Sequence, residues 1–184
     1  MIRTLTLTAS LMLALPVLAQ DPAHRPGEEA VDPYVASDAN AGAQPFVGTQ
    51  MFDAFHGQAG VDRIVDGMLD RSIADPRTAG IFVATDMVRL RRTLKEQFCY
   101  VLGGPCAYTG RSMKDAHDEI GLQPADMGAL VEHLQTAMSE EGVPFHTQNR
   151  SWPSWRRCGG ISSPANGQVF LRMCRNHGCG RAGK

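Results

Sequence analysis

His117 is the side chain of this sequence whose type and setting most readily support chemistry. It follows the Gly103-Gly104-Pro105 break on a short amphipathic turn that also carries Met113 and Ile120. A neutral imidazole donates a nitrogen lone pair to a metal, and the hydrogen bond made by the other ring nitrogen decides which one binds. A histidine on an apolar turn either completes a core or holds a ligand, and the residue types alone leave both open. His56, His133, His146 and His177 fall off the apolar stripes, and His24 lies in a stretch without period; all read as ordinary polar residues. The cysteines Cys99, Cys106, Cys158, Cys174 and Cys179 are odd in number, so at least one is unpaired within the chain. Cys99 and Cys106 flank the glycine break and either pair with each other or leave Cys99 as a core residue. Cys174, His177 and Cys179 form a C-x2-H-x-C run that matches no common zinc spacing, with Cys158 or solvent as its fourth ligand.

The elements that must position these residues are helical. Val61, Ile64, Val65, Met68 and Leu69 recur at helical spacing until Asp75-Pro76, and Met51, Phe52 and Phe55 make a shorter apolar turn before them. Asp86 is placed to cap a second helix with Met87, Leu90, Leu94, Phe98 and Val101 on one face. The glycine pair and Pro105 end it, because glycine accepts left-handed backbone and proline cannot extend the ladder. A third helix runs from Pro124 through Met127, Leu130, Val131, Leu134 and Met138 to the Gly142 and Pro144 stop. No stretch alternates as a strand would, so the fold class is all-α. A chain of 184 residues, 43% hydrophobic with net charge −1, suits one domain with extra segments. Its balance of charge gives no electrostatic reason to expect nucleic acid as a partner.

Both ends differ from this middle. Residues 1–19 have the pattern of a signal peptide: Arg3, an apolar run from Leu5 to Leu18, and the small-residue site Val17-Leu18-Ala19. The run is shorter than the ~20 residues that span a bilayer. Secretion across the inner membrane is therefore expected, with the periplasm as destination and no membrane association after cleavage. Residues 20–48, rich in Ala, Pro, Asp and Gly, are expected to form a disordered linker. The domain is expected over 49–150, and 151–184 as an irregular tail without a helical run longer than a turn. Synonymous codons for residues 150–161 exist whose other frame encodes an amphipathic peptide, so the tail is either a frameshifted last helix or a genuine irregular segment.

Phe82 after Asp75-Pro76, then Leu102-Gly103-Gly104-Pro105, Tyr108-Thr109-Gly110, Met113, His117 and Gly142-Val143-Pro144 together resemble a group I truncated haemoglobin, over about residues 51–143. The resemblance implies a truncated globin, a two-over-two sandwich of helices B, E, G and H around one haem b. Residues 61–74 would be B, 87–102 E and 124–141 G, with His117 on an extended F segment as the one axial ligand of a pentacoordinate iron. Met113 and Ile120 would press on the porphyrin, Phe82 would stack on its edge and Phe98 would line the pocket. Arg89, Arg91, Arg92 and Lys95 are candidates to meet the propionates, or are plain surface charges. No C-x-x-C-H is present, so c-type covalent attachment is excluded.

The sequence departs from the family where bound oxygen would sit. The family usually carries a tyrosine late in helix B and a glutamine in helix E that hydrogen-bond the ligand; those positions are Leu69 and Leu94 here, with Leu90 at the entry. Met68, Leu69, Leu90 and Leu94 would make that pocket apolar, with Thr93 as the nearest hydroxyl. The implied function is binding of O2 or other diatomic gases such as CO and NO, with weak retention of O2 and a possible reductase partner. The alternatives are a haem-dependent redox enzyme acting on NO or peroxide, and a degenerate haem-free globin serving as an interaction module.

Overall fold

The computed structural model describes residues 25–118 and 120–158, with 152–158 described by their backbone. Its helices are α1 (Gln50–Ala54), α2 (Gly57–Ala74), α3 (Met87–Val101), α4 (Met113–His117), α5 (Pro124–Glu140) and α6 (Phe145–Cys158), with 3-10 turns at Asp38–Ala41 and Ala79–Phe82. Among the described residues there is no strand, so the chain is all-α as its periodicity predicts. α2 is the hub: it packs against both α5 and α3, while α6 touches α1 and α5. The stripe Val61, Ile64, Val65, Met68 and Leu69 is buried against Phe98 and Leu102 from the α3 end and Leu134, Ala137 and Met138 of α5. Each such side chain contributes roughly 1.5–3 kcal/mol by leaving water.

Local chemistry sets the ends of these helices. Asp86 caps α3, its carboxylate accepting from the Arg89 N–H at 3.0 Å. Pro124 opens α5, and the Asp126 carboxylate accepts from the Gln123 N–H at 2.7 Å. After α3 the chain turns at Gly103, whose φ is +84°. A Cβ at Gly103 would fall 2.2 Å from the Gly48 carbonyl oxygen, and one at Gly104 would fall 2.7 Å from Cys99 Sγ. Both backbone and space therefore require glycine here. Cys99 and Cys106 are joined in a disulfide with Cα atoms 5.8 Å apart, which ties the end of α3 to the loop beyond it.

Two expectations about the flanks are corrected. Residues 25–48 are not a free linker. The Glu28 carboxylate, 1% exposed, sits between Arg89 and Arg92 of α3. Ala41 is fully buried, and the Phe46 N–H donates to the Val101 carbonyl at 2.9 Å. Composition hid this because the anchors are a carboxylate, one buried alanine and a backbone N–H, which carry no apolar period. Nor does regular structure end at residue 150: α6 continues to Cys158. Its buried residues Thr147, Gln148 and Ser151 are polar, so a hydrophobic period could not reveal it. Gln148 donates to the Val143 carbonyl at 2.9 Å and Ser151 to the Gln148 carbonyl at 2.6 Å. Once this start is formed, each further residue extends the helix at little cost. The signal segment 1–19, the tail from residue 159 onward and the Cys174, His177, Cys179 run lie outside the described residues.

Candidate functional site

α4 is little more than one turn, started by Ser112, whose hydroxyl oxygen accepts from the Asp115 N–H at 3.2 Å. At its end stands His117, half-buried, with Nδ1 2.7 Å from the Met113 carbonyl oxygen. A carbonyl only accepts, so Nδ1 carries the proton and, in the neutral ring, Nε2 keeps its lone pair. Nε2 has no hydrogen-bond partner among the described residues. The other described histidines differ. His133 uses both nitrogens, on Ser72 and Asp75; His56 is exposed and pairs with Glu141; His146 is exposed. His117 alone among them combines a backbone-locked Nδ1 with a half-buried, unengaged Nε2. Among the described residues no group of three or more His, Cys, Asp or Glu could hold a bare ion. A single nitrogen donor suits a metal whose other ligands come from a macrocycle.

The apolar residues expected to surround such a group fall into two layers. Met68, Leu69 and Phe98 are buried at 3%, 1% and 4% exposure. Phe82, Met87, Leu90, Leu94 and Leu130 are half-buried and pack against that core. Together they present an apolar shelf, supported from within and incompletely covered. Met113 is half-buried and Ile120 is 45% exposed. Thr93 adds no polarity to the shelf, since its hydroxyl donates to the Arg89 carbonyl at 3.0 Å. A surface depression of about 550 Å³, lined by Gln58, Arg91, Lys95 and Cys106 among others, contains neither His117 nor these shelf residues.

The cations suggested for acidic cofactor groups already have carboxylate partners. Arg89 and Arg92 hold Glu28, at 3.1 and 2.9 Å from Oε2, and the Arg92 hydrogen bond above all keeps the Glu28 carboxyl below its ordinary range. Arg91 pairs with Asp66 and Asp70 of α2, and Lys95 with Asp66 at 2.8 Å. These ion pairs tie α3 to α2 and to the segment that precedes the domain.

Sequence reasoning missed two polar constellations. Gln97 is buried at 4% exposure in the apolar stretch of α3, and its amide donates to the Ala41 carbonyl at 2.8 Å and to Met113 Sδ at 3.0 Å. A polar residue on the buried face of a helix was the available signal. The second surrounds His133, which is buried although it lies off the apolar stripe. Its Nδ1 is 3.0 Å from Ser72 Oγ and its Nε2 is 3.0 Å from an Asp75 oxygen. The residue types are those of a hydrolase triad, but the setting is not. Ser72 is fully buried and its hydroxyl donates to the Met68 carbonyl at 2.8 Å, so it has no access to a substrate. Asp75 is occupied by Arg77, whose hydrogen bonds hold its carboxyl far below the ordinary range. The set locks the end of α2 to α5.

The all-α packing around α2 and a histidine with one uncommitted nitrogen agree with a globin, and a model of the bacterial-like globin family matches residues 50–158. The match reaches the end of α6, past the expected boundary at 150. The group 1 truncated hemoglobin of Mycolicibacterium paratuberculosis is 34% identical over 97 residues, 53% of this chain and 71% of that protein. That of Nostoc commune is 32% identical over 93 residues, 50% and 79% of the two chains. Among solved structures, the Fe(III) truncated hemoglobin of Tetrahymena pyriformis superposes with a TM-score of 0.55 at 25% identity, over 58% of this chain and 91% of that one. The 2/2 hemoglobin of Synechococcus sp., in a cyanomet state with covalently attached heme, gives 0.53 at 27% identity over 60% and 91%. The chain belongs to the group 1 truncated haemoglobins. The family carries haem and binds diatomic gases such as O2.

Proposed function

We propose that this chain is a haem-b protein that binds O2, CO or NO, with Nε2 of His117 as the single protein ligand of a pentacoordinate iron. The observation that carries the proposal is the 2.7 Å contact from His117 Nδ1 to the Met113 carbonyl, which fixes the ring and leaves Nε2 for the metal. Haem, when bound, would supply the iron that takes a diatomic gas. The chain supplies the apolar walls: Phe82, Phe98, Met113 and Ile120 for the porphyrin, and Met68, Leu69, Leu90 and Leu94 for the gas. None of those four donates a hydrogen bond, and the Thr93 hydroxyl is committed to its own helix. O2, which gains most from a donor, is then held weakly relative to CO. Turnover of peroxide or NO needs a polar group near the reacting atoms, so binding is the favoured role, with a reductase as the partner that restores ferrous iron.

The Cys99–Cys106 disulfide supports export, since such bonds persist in oxidising compartments. The proposed location is the periplasm, reached through the signal-like residues 1–19. The test of the whole reading is haem titration of the purified protein beside His117→Ala. The wild type is expected to develop a Soret band, and the variant to lose it or shift it, with added imidazole restoring the wild-type spectrum. A protein that stays colourless with excess haem, or a variant with an unchanged spectrum, overturns the proposal.

A further inference from the structure

Residues 25–42 precede the region that the globin family model matches. They nevertheless make a series of specific contacts to one target, the loop that leads into α4. Asp38 accepts from the Tyr108 N–H at 2.7 Å. Tyr34 donates its hydroxyl proton to the Thr109 carbonyl at 3.0 Å, and Asn40 donates to the Gly110 carbonyl at 3.2 Å. The Arg111 guanidinium lies 5.6 Å from the centre of the Tyr34 ring. Consecutive residues 108–111 thus each meet this segment.

The segment is itself anchored on α3. Glu28 is clasped by Arg89 and Arg92, and Arg92 also donates to Thr109 Oγ1 at 2.6 Å, so a single guanidinium holds both the anchor and the loop. A second connection runs nearer the histidine. Gln97 joins the Ala41 carbonyl to Met113 Sδ, and the Met113 carbonyl accepts from His117 Nδ1. A helix of five residues cannot hold its own position in water, because one turn fixes many dihedrals for few hydrogen bonds. Its placement must come from outside.

We propose that residues 25–42 form a brace that positions His117 as haem ligand, acting through residues 108–111 and through the Ala41–Gln97–Met113 connection, with Glu28 and Asp38 as positioning residues. The proposal rests on the haem reading above, but its primary test does not need haem. Amide exchange of residues 107–117 is measured in the full-length apo protein for wild type, Glu28→Ala, Asp38→Ala and Asp38→Asn, and haem release to an excess of a scavenging globin is followed for the reconstituted forms. Asp38 is exposed, so its variants preserve the fold if Glu28→Ala does not.

Asp38→Ala is expected to speed exchange at Tyr108 and beyond and to raise the haem release rate at least about 10-fold, the effect of roughly 1.4 kcal/mol. Asp38→Asn, which keeps an acceptor oxygen, is expected to restore much of both. The iron–histidine stretching frequency of the ferrous form should shift in the alanine variants, a signature that general loss of stability would not produce. Unchanged exchange in Asp38→Ala overturns the brace. Faster exchange with unchanged haem release and unchanged iron–histidine frequency overturns its positioning role. If no form binds haem, the functional reading fails and the positioning role falls with it, while exchange still decides whether the brace exists.

Discussion

Replacing Leu94 by glutamine tests the apolar character of the gas site from the side of gain rather than loss. Leu94 lies on α3, half-buried and packed against the core from within, so a side chain of similar length has room to turn outward. The alternative position, Leu69, is only 1% exposed, and a tyrosine there would overpack the core at a cost of about 1–3 kcal/mol. Glutamine propagates helix nearly as well as leucine. Placing its amide in a half-buried apolar setting costs roughly 0.5–2 kcal/mol. A hydrogen bond to O2, which becomes partly negative when bound, contributes about 1.5–3 kcal/mol, because donors to charged acceptors exceed neutral pairs. That is roughly a 10- to 150-fold gain in retention. The assay is displacement of O2 by CO in a stopped-flow instrument, for wild type, Leu94→Gln and the donor-free control Leu94→Met. Slower O2 release is expected in the glutamine variant alone, with CO release little changed. A wild-type release rate already as slow as that of Leu94→Gln, or no effect of the glutamine, refutes the placement of residue 94 beside the gas or the absence of another donor.

Three further outcomes follow from particular contacts. Glu28 is held below its ordinary value near 4.5 by Arg92 and then Arg89, with Glu96 and Asp86 facing the same arginines. A depressed carboxyl contributes stability that is complete above 4.5 and is lost as pH falls through its folded value, so an NMR titration of the Glu28 carboxyl should have its midpoint below 4.5; a midpoint at or above it contradicts the ion cluster. His133→Leu removes two hydrogen bonds of 3.0 Å with little change of volume, and should cost about 1–3 kcal/mol, lowering Tm by roughly 2–4 °C per kcal/mol while leaving the haem spectrum unchanged. An unchanged Tm would show that the Ser72–His133–Asp75 set carries no stability. Reduction of Cys99–Cys106, which closes a sequence separation of 7, should remove about 2.5 kcal/mol from the chain-entropy term, and a melting temperature indifferent to reductant, measured against Cys106→Ser, would contradict that contribution.

The sequence reveals those parts of this fold that are written in apolar periods. The stripes of α2, α3 and α5 are long, regular and bounded by Asp86, Pro124 and glycines, and these signals mark helix ends because they answer to backbone hydrogen bonding. What the sequence does not disclose is polar and non-local. Glu28 and Arg92 are 64 positions apart, and Ser72 and His133 are 61 apart. No local pattern joins such pairs. α6 was obscured for a related reason, since Thr147, Gln148 and Ser151 are buried through hydrogen bonds to backbone rather than through hydrophobicity.

The two histidines show where reading residue types ends and geometry begins. Judged by burial, His133 is the stronger candidate for a special role, at 8% exposure, while His117 is only half-buried. Nitrogen accounting reverses the order. A ligating imidazole must spend one nitrogen on orientation and keep the other, and His133 spends both, on Ser72 and Asp75. His117 spends one, on the carbonyl of the residue one turn before it. That residue, Met113, is held by Gln97, and Gln97 by Ala41, so the orientation of the ring is set by a segment remote in sequence. The short F segment has too few internal hydrogen bonds to do this for itself. In this chain the placement of the one-turn helix α4 is met by polar contacts recruited from outside the globin core, which is why the proposed ligand could be picked out by its motif but its support could not.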